Sequence, residues 1–359
     1  MAKLNIKEKS INSKLKIPFF FARREHKYLK SKILKAIENS FLHGQTLQGP
    51  EVVDFEQKIS KFVGRKYAVA VGSCTDALFF SLKAGGVKNG DEVIVTSYSY
   101  LASATCILRC GAKPIFVDVD ENGNMQIDKV LKKINKKTKA IIYVHLFGYL
   151  QDIDKLVLSA RKKKILLIED FAQALGASIK QKKAGSFGDI SCTSFDPTKV
   201  LSAPGSGGII VTNNKRIKNK IIKMRYHGKN KFGDHDILGI NSQMPTIVAA
   251  SLLIKFKYFK ESQSKRINIA NRYIKNFKNL NLSLPPLFKN GQHIYHKFVI
   301  RTKYRDELFR YLNKNGVHSL IHYKKPLHKL KIFKNFRSKL PISEKLSKTS
   351  LSIPIHPYL

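Results

Sequence analysis

The sequence Ile-Leu-Leu-Ile-Glu-Asp-Phe-Ala-Gln occupies residues 165–173 and joins an apolar run to two carboxylates. Four large aliphatic residues in a row predict a strand that is buried on both faces, as the strands of parallel sheets are. A carboxylate at the carboxyl end of such a strand lies where open α/β sheets bind their ligands. Asp170 is therefore predicted to face a cationic partner over the sheet edge, with capping of the next helix as the alternative.

Similar short β-rich runs precede and follow this segment, and helical stretches separate several of them. The predicted strands are 67–71, 92–96, 114–117, 140–144, 165–168, 190–195 and 208–212. The predicted helices around and between them are 25–41, 50–62, 75–84, 100–109 and 153–163. Strands that alternate with helices over roughly 150 residues favour a mostly parallel sheet with helices on both faces. The predicted class is therefore α/β.

The chain after about residue 245 has a different pattern, typical of a small α+β unit. A long helix, a strand, a second helix and a further strand are predicted, at 249–277, 296–301, 304–315 and 318–322. Pro285 and Pro286 exclude continuation of the long helix. We predict an N-terminal arm and helix over 1–48, a large domain over 49–250 and a small C-terminal domain over 251–359.

The charge of the chain is unusual, because 66 Lys and Arg against 25 Asp and Glu give a formal net charge of +41 in 359 residues. Such a balance raises nucleic acids and anionic membranes as partners. However, 53 of the basic residues are lysines spread along the whole chain, whereas specific nucleic-acid readers favour arginine. We therefore expect no specific nucleic-acid partner, and a basic nucleic-acid-binding protein remains one alternative.

Signals for export, membrane insertion and metal binding are weak. No apolar run approaches the roughly 18 residues of a membrane-spanning helix, and the basic N-terminus lacks the apolar stretch of a signal peptide. The cysteines form no CxxC pair, and Cys106 and Cys110 have no histidine nearby that would complete a metal site. We expect a cytoplasmic protein with no metal and no membrane partner.

Residues 71–78, Val-Gly-Ser-Cys-Thr-Asp-Ala-Leu, follow a predicted strand and begin a predicted helix. A helix N-terminus after a turn of small residues presents free backbone N–H groups and the positive end of the helix dipole, which together suit a phosphate. The hydroxyls of Ser73 and Thr75 add further donors. The same residues also suit an ordinary helix N-cap, so this segment alone leaves both interpretations open.

Residues 193–199, Thr-Ser-Phe-Asp-Pro-Thr-Lys, end another predicted strand and lead into the glycine-rich segment 203–208. The position of Lys199, close to a proline and before a loop of small residues, distinguishes it from the other lysines of the chain. A Schiff-base cofactor requires a lysine near a phosphate site and a carboxylate, because the amine condenses with an aldehyde while the carboxylate keeps a ring nitrogen protonated. Without the other two segments, Lys199 would be interpreted as a surface lysine.

Together and in this order, the three segments resemble the sugar aminotransferases of the DegT/DnrJ/StrS family, which use pyridoxal 5'-phosphate (PLP). The resemblance covers nearly the whole chain, with further matching segments at 48–52, 55–56, 90–95, 117–120, 138–142, 145–148, 241–242, 322–323 and 326–328. It implies the aspartate-aminotransferase-like fold (PLP fold type I), with a mostly parallel seven-stranded sheet in the large domain and a smaller α+β C-terminal domain. It also implies a homodimer with shared active sites.

The resemblance also implies a role for each matching side chain. Lys199 is expected to bind PLP covalently and to move a proton during catalysis, with Asp170 paired to the pyridine nitrogen. Gln173 is expected to contact the phenolic oxygen, and Tyr100 to stack on the ring. The residues expected at the phosphate are Ser73, Thr75, Asp76 through its backbone, Ser194, and Asn241 of the neighbouring subunit.

The implied reaction moves an amino group, from glutamate, to a keto carbon of a nucleotide-linked keto-deoxysugar. His322 and Tyr323 match a motif near the sugar nucleotide, although a packing pair at a strand end is the alternative. Lys199 favours transamination, because the dehydratase branch has a histidine there, and the Pro-Thr-Lys form of 197–199 leans toward 3-keto sugars. Segment 241–248 lacks the Arg and acidic residues usual in the family, which leaves a non-catalytic PLP-binding paralogue or regulator as an alternative.

Overall fold

Helices and strands alternate along most of the computed structural model, which describes residues 16–20, 22–287 and 290–359. The helices α1 to α11 are Ala22–Leu42, Pro50–Val63, Cys74–Ala84, Ala102–Arg109, Ile127–Lys133, Asp154–Lys162, Lys215–Met224, Thr246–Lys257, Phe259–Phe277, Arg305–Lys314 and Pro341–Thr349. The strands β1 to β12 are Tyr67–Val71, Glu92–Thr96, Lys113–Val117, Thr138–Val144, Leu166–Asp170, Ser178–Ile179, Lys182–Lys183, Ile190–Ser194, Gly208–Thr212, Gly291–Gln292, Phe298–Arg301 and Ser350–Ile353.

Seven strands form the main sheet in the order β1-β9-β8-β5-β4-β2-β3. The pairs β8–β5, β5–β4, β4–β2 and β2–β3 are parallel, whereas β9 is antiparallel to both of its neighbours, β1 and β8. All seven predicted strands are present, with ends that differ from the prediction by at most two residues. The predicted mostly parallel, seven-stranded sheet is thus confirmed.

The two faces of the sheet are covered by different helices, and strand β1 shows how the sequence divides between them. Val69 and Val71 pack in one core cluster with Leu78 of α3, whereas Ala68 and Ala70 pack in another with residues of α2. Successive side chains of a strand point to opposite faces, so each face of β1 acquires its own core. Helix α8 packs against α1 and α2 on the second of these faces.

A separate core cluster lies toward the C-terminus and contains Ala270, Tyr295, Phe298, Ile300, Leu351, Ile353 and Ile355. It is built on the antiparallel pair β11–β12, against which α9 and α10 contribute apolar side chains. The three-part division into 1–48, 49–250 and 251–359 stays a prediction, and the N-terminal arm over residues 1–15 lies outside the described residues.

Two predicted elements of the C-terminal part were wrong. The helix predicted over 249–277 is two helices, because α8 ends at Lys257, α9 begins at Phe259, and Tyr258 between them leaves helical geometry. The strand predicted over 318–322 is a single bridge between Leu320 and Ser352. Leu320 exchanges both backbone hydrogen bonds with Ser352 of β12, and the chain enters a turn at His322, so the pairing does not extend into a strand. Neither β12 nor the preceding helix α11 was predicted.

No helix in the described ranges combines the length and apolar character that a bilayer crossing demands. Within the same ranges, His, Cys, Asp and Glu side chains form no group of three or more that could hold a metal ion.

Candidate active site

A cavity of about 480 Å³ lies at the carboxyl ends of three neighbouring strands of the main sheet. Val144 ends β4, Asp170 ends β5 and Ser194 ends β8, and all three line it. Parallel strands bring their carboxyl ends to one sheet edge, which is where open α/β sheets bind ligands. The topology therefore unites segments that are far apart in the sequence.

Nine of the eleven predicted site residues line this cavity: Ser73, Thr75, Tyr100, Asp170, Gln173, Ser194, Lys199, His322 and Tyr323. The other two, Asp76 and Asn241, are outside the lining. Asp76 donates its backbone N–H to the Ser73 hydroxyl at 3.1 Å, which is the N-cap geometry considered above. Asn241 is exposed in the single chain, and its amide oxygen accepts from Gln243 at 3.2 Å.

The turn before α3 is held tightly against strand β9. A Cβ atom on Gly208 would lie 2.4 Å from the carbonyl carbon of Ser73 and 2.5 Å from the amide nitrogen of Cys74, so only glycine permits this approach. Ser73 caps the helix, and the first N–H groups of a helix have no partner within it. The result is a rigid set of N–H groups at one end of the cavity, where an anion is favoured.

Glu169, the residue before the cavity carboxylate, is fully buried and saturated with donors. Its carboxylate accepts from His145 Nε2 at 2.8 Å, from the backbone N–H groups of Gly185, Phe187 and Gly188 at 2.5, 2.9 and 3.1 Å, and from the Ser191 hydroxyl at 3.1 Å. Burial acts to raise the pKa of Glu169, but these donors outweigh it and hold the pKa below its usual range. This carboxylate belongs to the framework beneath the site.

Asp170 faces the cavity and has fewer donors. Its carboxylate accepts from the Ser103 hydroxyl at 2.9 Å and from the Ala172 N–H at 3.1 Å. Burial raises the pKa of Asp170 above its usual range, because these two hydrogen bonds and the charge of Lys199 do not compensate for the loss of water. A buried carboxylate in this condition is a suitable partner for a cation bound in the cavity.

Lys199 lies in a turn that Asp196 organises. The backbone N–H of Lys199 donates to the Asp196 carbonyl at 2.9 Å, and the Asp196 carboxylate accepts from the Thr198 N–H at 2.9 Å. Within the described residues, no carboxylate lies within 4.0 Å of the Lys199 ammonium, and the side chain is only partly exposed. The amine is therefore presented to the cavity without a competing ion pair.

A hydrogen-bonded chain connects the predicted cofactor and substrate residues. Gln173 accepts from the Phe147 N–H at 3.1 Å and donates to the Tyr323 hydroxyl at 3.0 Å. The Tyr323 N–H donates to the Tyr98 hydroxyl at 2.9 Å, and that hydroxyl donates to the His322 carbonyl at 2.7 Å. The network fixes the His322–Tyr323 pair at the cavity wall although the segment before it is not a strand.

Thirteen of the residues that line the cavity were not predicted as site residues, among them Phe20, Ser103, His296 and Lys297. Ser103 lies on α4, one turn after Ser99, and its spacing from a strand end could have suggested a cavity position. The other three come from the N-terminal segment and from the approach to β11. Nothing in their local sequence indicates that they meet the sheet edge.

Comparison with known proteins decides the family. The sequence profile of the DegT/DnrJ/EryC1/StrS aminotransferase family matches residues 27–359. This chain belongs to that family. It is 35% identical over 344 residues to the UDP-2-acetamido-2-deoxy-3-oxo-D-glucuronate aminotransferase of Pseudomonas aeruginosa, with 96% of each chain covered. It is 36% identical over 345 residues to the dTDP-3-amino-3,6-dideoxy-alpha-D-galactopyranose transaminase of Aneurinibacillus thermoaerophilus, which covers 96% of this chain and 95% of the relative.

A solved structure agrees with this assignment. NtdA from Bacillus subtilis, with the cofactor PMP bound, has a TM-score of 0.89 at 29% identity, over 97% of this chain and 82% of that one. The resemblance and the aspartate-aminotransferase-like fold predicted from the sequence are thus confirmed. The chain is a sugar aminotransferase, and its cofactor is PLP. The matches to named transaminases do not favour the nucleic-acid-binding alternative.

The cavity residues suit PLP on three observations. The N–H groups at the start of α3 suit its phosphate, and the under-satisfied, buried Asp170 suits its protonated ring nitrogen. Lys199 offers an amine with no carboxylate partner among the described residues. When bound, PLP supplies an electron sink for the bonds at the substrate's reacting carbon. The protein supplies the binding, the orientation and the proton transfers.

Proposed function

We propose that this chain transfers an amino group from glutamate to a keto carbon of a nucleotide-linked keto-deoxysugar. The observation that carries the proposal is the meeting of Lys199, Asp170 and the N-terminus of α3 in one cavity. Both relatives described above are named for nucleotide-linked sugars, one carrying UDP and the other dTDP. The donor and the acceptor sugar would use the same cavity in turn, since each must reach the same lysine.

We assign the residue roles as the sequence suggested them. Lys199 binds the cofactor and moves the proton at the reacting carbon, and Asp170 keeps the ring nitrogen protonated. Tyr100 stacks on the ring, and Gln173, whose amide nitrogen is directed by Tyr323, contacts the phenolic oxygen. The phosphate is bound by Ser73, Thr75, the Asp76 backbone and Ser194. The sugar nucleotide contacts His322 and Tyr323.

We further propose a homodimer in the cytoplasm, with Asn241 reaching the phosphate of the neighbouring subunit. Asn241 is exposed in the single chain and lies outside the cavity lining, as such an exchange requires. Tyr100 at the cavity is 62% exposed, and Leu238 and Phe232, three and nine residues before Asn241 in the chain, are 85% and 79% exposed. Exposed apolar side chains of this kind suit burial by a second copy of the chain.

A keto group at C3 of the sugar is the position we favour. The name of the Pseudomonas relative specifies a 3-oxo sugar, and that of the Aneurinibacillus relative a 3-amino sugar. The test is single-turnover amino transfer to matched 3-keto and 4-keto nucleotide sugars. We expect the 3-keto sugar to react faster, and equal or reversed rates would contradict this choice.

The decisive experiment identifies the lysine that binds PLP covalently. Purified protein is loaded with PLP, reduced with borohydride and digested, and the labelled peptide is located by mass spectrometry. We expect one label, on Lys199, and a visible absorption band that shifts to shorter wavelength when glutamate is added. Lys199→Ala should lose the label, the band shift and at least about a thousandfold in turnover, because it removes both the covalent anchor and the proton carrier.

Lys215→Ala is the matched control, because Lys215 is exposed at the start of α7, away from the cavity. It should retain the label on Lys199 and the full band shift. A label on another lysine, or a wild-type protein whose spectrum glutamate leaves unchanged, would overturn the proposed function.

A further inference from the structure

Lys297 is a buried lysine in the wall of the active-site cavity. It precedes strand β11, and only 5% of the residue is exposed. It lines the cavity together with Phe20, His322 and Lys199. None of the roles assigned above involves this residue.

The ammonium group of Lys297 has no anionic partner in the described part of the chain. No carboxylate lies within 4.0 Å of it there, and its neighbours are the rings of Phe19 and Phe20, with centroids at 5.4 and 5.1 Å. Cation–π contacts stabilise a lysine by about 0.5–2 kcal/mol, which is less than the several kcal/mol by which burial destabilises an isolated charge. A buried ammonium group that lines a cavity and has no anionic partner indicates a site for an anion.

The charges around Lys297 strengthen this interpretation. Burial lowers the pKa of Lys297 to about 7, with Lys199 and Arg266 acting in the same direction and Asp196 opposing them. Burial also lowers the pKa values of His296 and His322 far enough that both rings are neutral near pH 7. The protonated form of Lys297 is thus disfavoured by burial and by two cationic neighbours, and an anion bound beside it would stabilise that form.

The position of Lys297 inside the cavity restricts which anion can reach it. The N-terminus of α3 is already assigned to the cofactor phosphate, so the cofactor would occupy part of the same cavity of about 480 Å³. Lys297 is almost inaccessible from outside, so an anion that reaches it must enter the cavity and lie close to Lys199. A carboxylate near the reacting carbon meets both conditions.

We propose that Lys297 binds a carboxylate of the substrate next to the reacting carbon. The carboxylate belongs to the amino donor or to a uronic-acid sugar, since both would enter the same cavity. The inference rests on the proposed function and assigns a specificity residue to the same site. The name of the Pseudomonas relative includes a glucuronate, so a sugar carboxylate is chemically reasonable for a member of this family.

Equilibrium binding to the PLP-loaded protein tests the proposal without turnover. The three ligands are glutarate, which has the carboxylates of glutamate without its amine, UDP-glucuronate, and UDP-glucose, which lacks the sugar carboxylate. The variants are Lys297→Met, which keeps the length of the side chain, and the control Lys303→Met. Lys303 is exposed and lies 4.9 Å from the ring centroid of Tyr304, so it matches the aromatic contact without the burial.

We expect Lys297→Met to lower the binding affinity for glutarate, for UDP-glucuronate or for both by about tenfold or more, as loss of a hydrogen bond to a charged group does. UDP-glucose should bind the variant and the wild type within about twofold. A loss for glutarate alone identifies the amino donor, and a loss for UDP-glucuronate alone identifies a uronic-acid sugar. Equal binding of all three ligands by variant and wild type, or equal weakening of all three, would overturn the proposal, as would a wild type that binds neither carboxylate ligand.

The pH dependence provides a second measurement that does not rely on the variant's folding. Affinity of the wild type for the carboxylate ligand should fall as the pH rises above about 7, because Lys297 then loses its proton. Lys297→Arg, which stays charged, should bind with little change over this range. A wild-type affinity that is constant from about pH 6 to 9 would contradict the proposal.

The two proposals fail in different ways. If PLP labels Lys199 and glutamate shifts the band while Lys297→Met leaves binding unchanged, only the role of Lys297 is wrong. If no label forms on Lys199, the proposed function fails before any ligand is titrated.

Discussion

Glu169 and Asp170 are neighbours on β5 and are both buried, with 0% and 5% of each residue exposed, but their surroundings are opposite. Glu169 accepts hydrogen bonds from His145, three backbone N–H groups and Ser191, and its pKa lies below the usual range. Asp170 accepts two, and burial raises its pKa. The fold supplies enough hydrogen-bond donors to satisfy the carboxylate of Glu169, whereas the carboxylate of Asp170 can still accept hydrogen bonds from a ligand.

The difference follows from the geometry of a strand that ends at a sheet edge. Successive side chains point to opposite sides, so Glu169 enters the framework beside the segment 185–188, and Asp170 enters the cavity. Burial alone therefore does not distinguish a structural acid from a functional one. The number of donors around each carboxylate does.

The largest effect expected from this comparison is on turnover in Asp170→Asn. The neutral amide cannot keep the ring nitrogen protonated, so kcat should fall by about a hundredfold or more. Without PLP, the variant should be at least as stable as the wild type, because the fold no longer holds an ionised carboxylate whose pKa burial raises. Steady-state kinetics and thermal unfolding of the cofactor-free protein measure the two effects.

A cofactor-free Asp170→Asn protein that unfolds well below the wild-type temperature would break the comparison. That result would place Asp170 in the framework, alongside Glu169. Unchanged turnover would remove its assigned role toward the cofactor.

The second-largest effect is expected in Glu169→Gln, as a loss of folding stability. The new amide group would face backbone N–H groups that now donate to the carboxylate, and each buried donor left without an acceptor costs about 1–3 kcal/mol. We expect a lower unfolding temperature, measured calorimetrically, while the folded variant still forms the PLP label on Lys199. A variant as stable as the wild type but unable to bind PLP would reverse the roles of the two acids.

The smallest effect is expected for Ser103→Ala, which removes one of the two donors to Asp170. Loss of this hydrogen bond should lower PLP affinity by about 1 kcal/mol, or about fivefold. Fluorescence titration with PLP measures the change. Thr105→Ala on the same helix is the control, because the Thr105 hydroxyl donates to the Leu101 carbonyl at 3.3 Å, and its loss should leave PLP affinity unchanged.

The residues at the strand ends that line the cavity could be identified from the sequence because they belong to short local patterns. Ser73, Asp170 and Lys199 each follow a strand whose apolar run is visible in the sequence, and parallel pairing then brings the strand ends together. The C-terminal part was predicted less well for a physical reason. Its long helix is interrupted at Tyr258, and segment 318–322 pairs at one residue only, and neither feature has a breaker residue or an alternating pattern to mark it.

The sequence by itself determined the seven strands of the sheet, since hydrophobic periodicity decides them locally, and three short segments at strand ends carried the resemblance to the family. Only the tertiary structure decided which acid on β5 keeps hydrogen-bonding capacity for a ligand, since the donors to Glu169 come from residues 16 to 22 positions further on and from His145, 24 positions earlier. It also decided that Phe20, Lys297 and His322 share one wall of the cavity. Contacts between segments so far apart depend on how helices and sheet pack, and no local pattern encodes them.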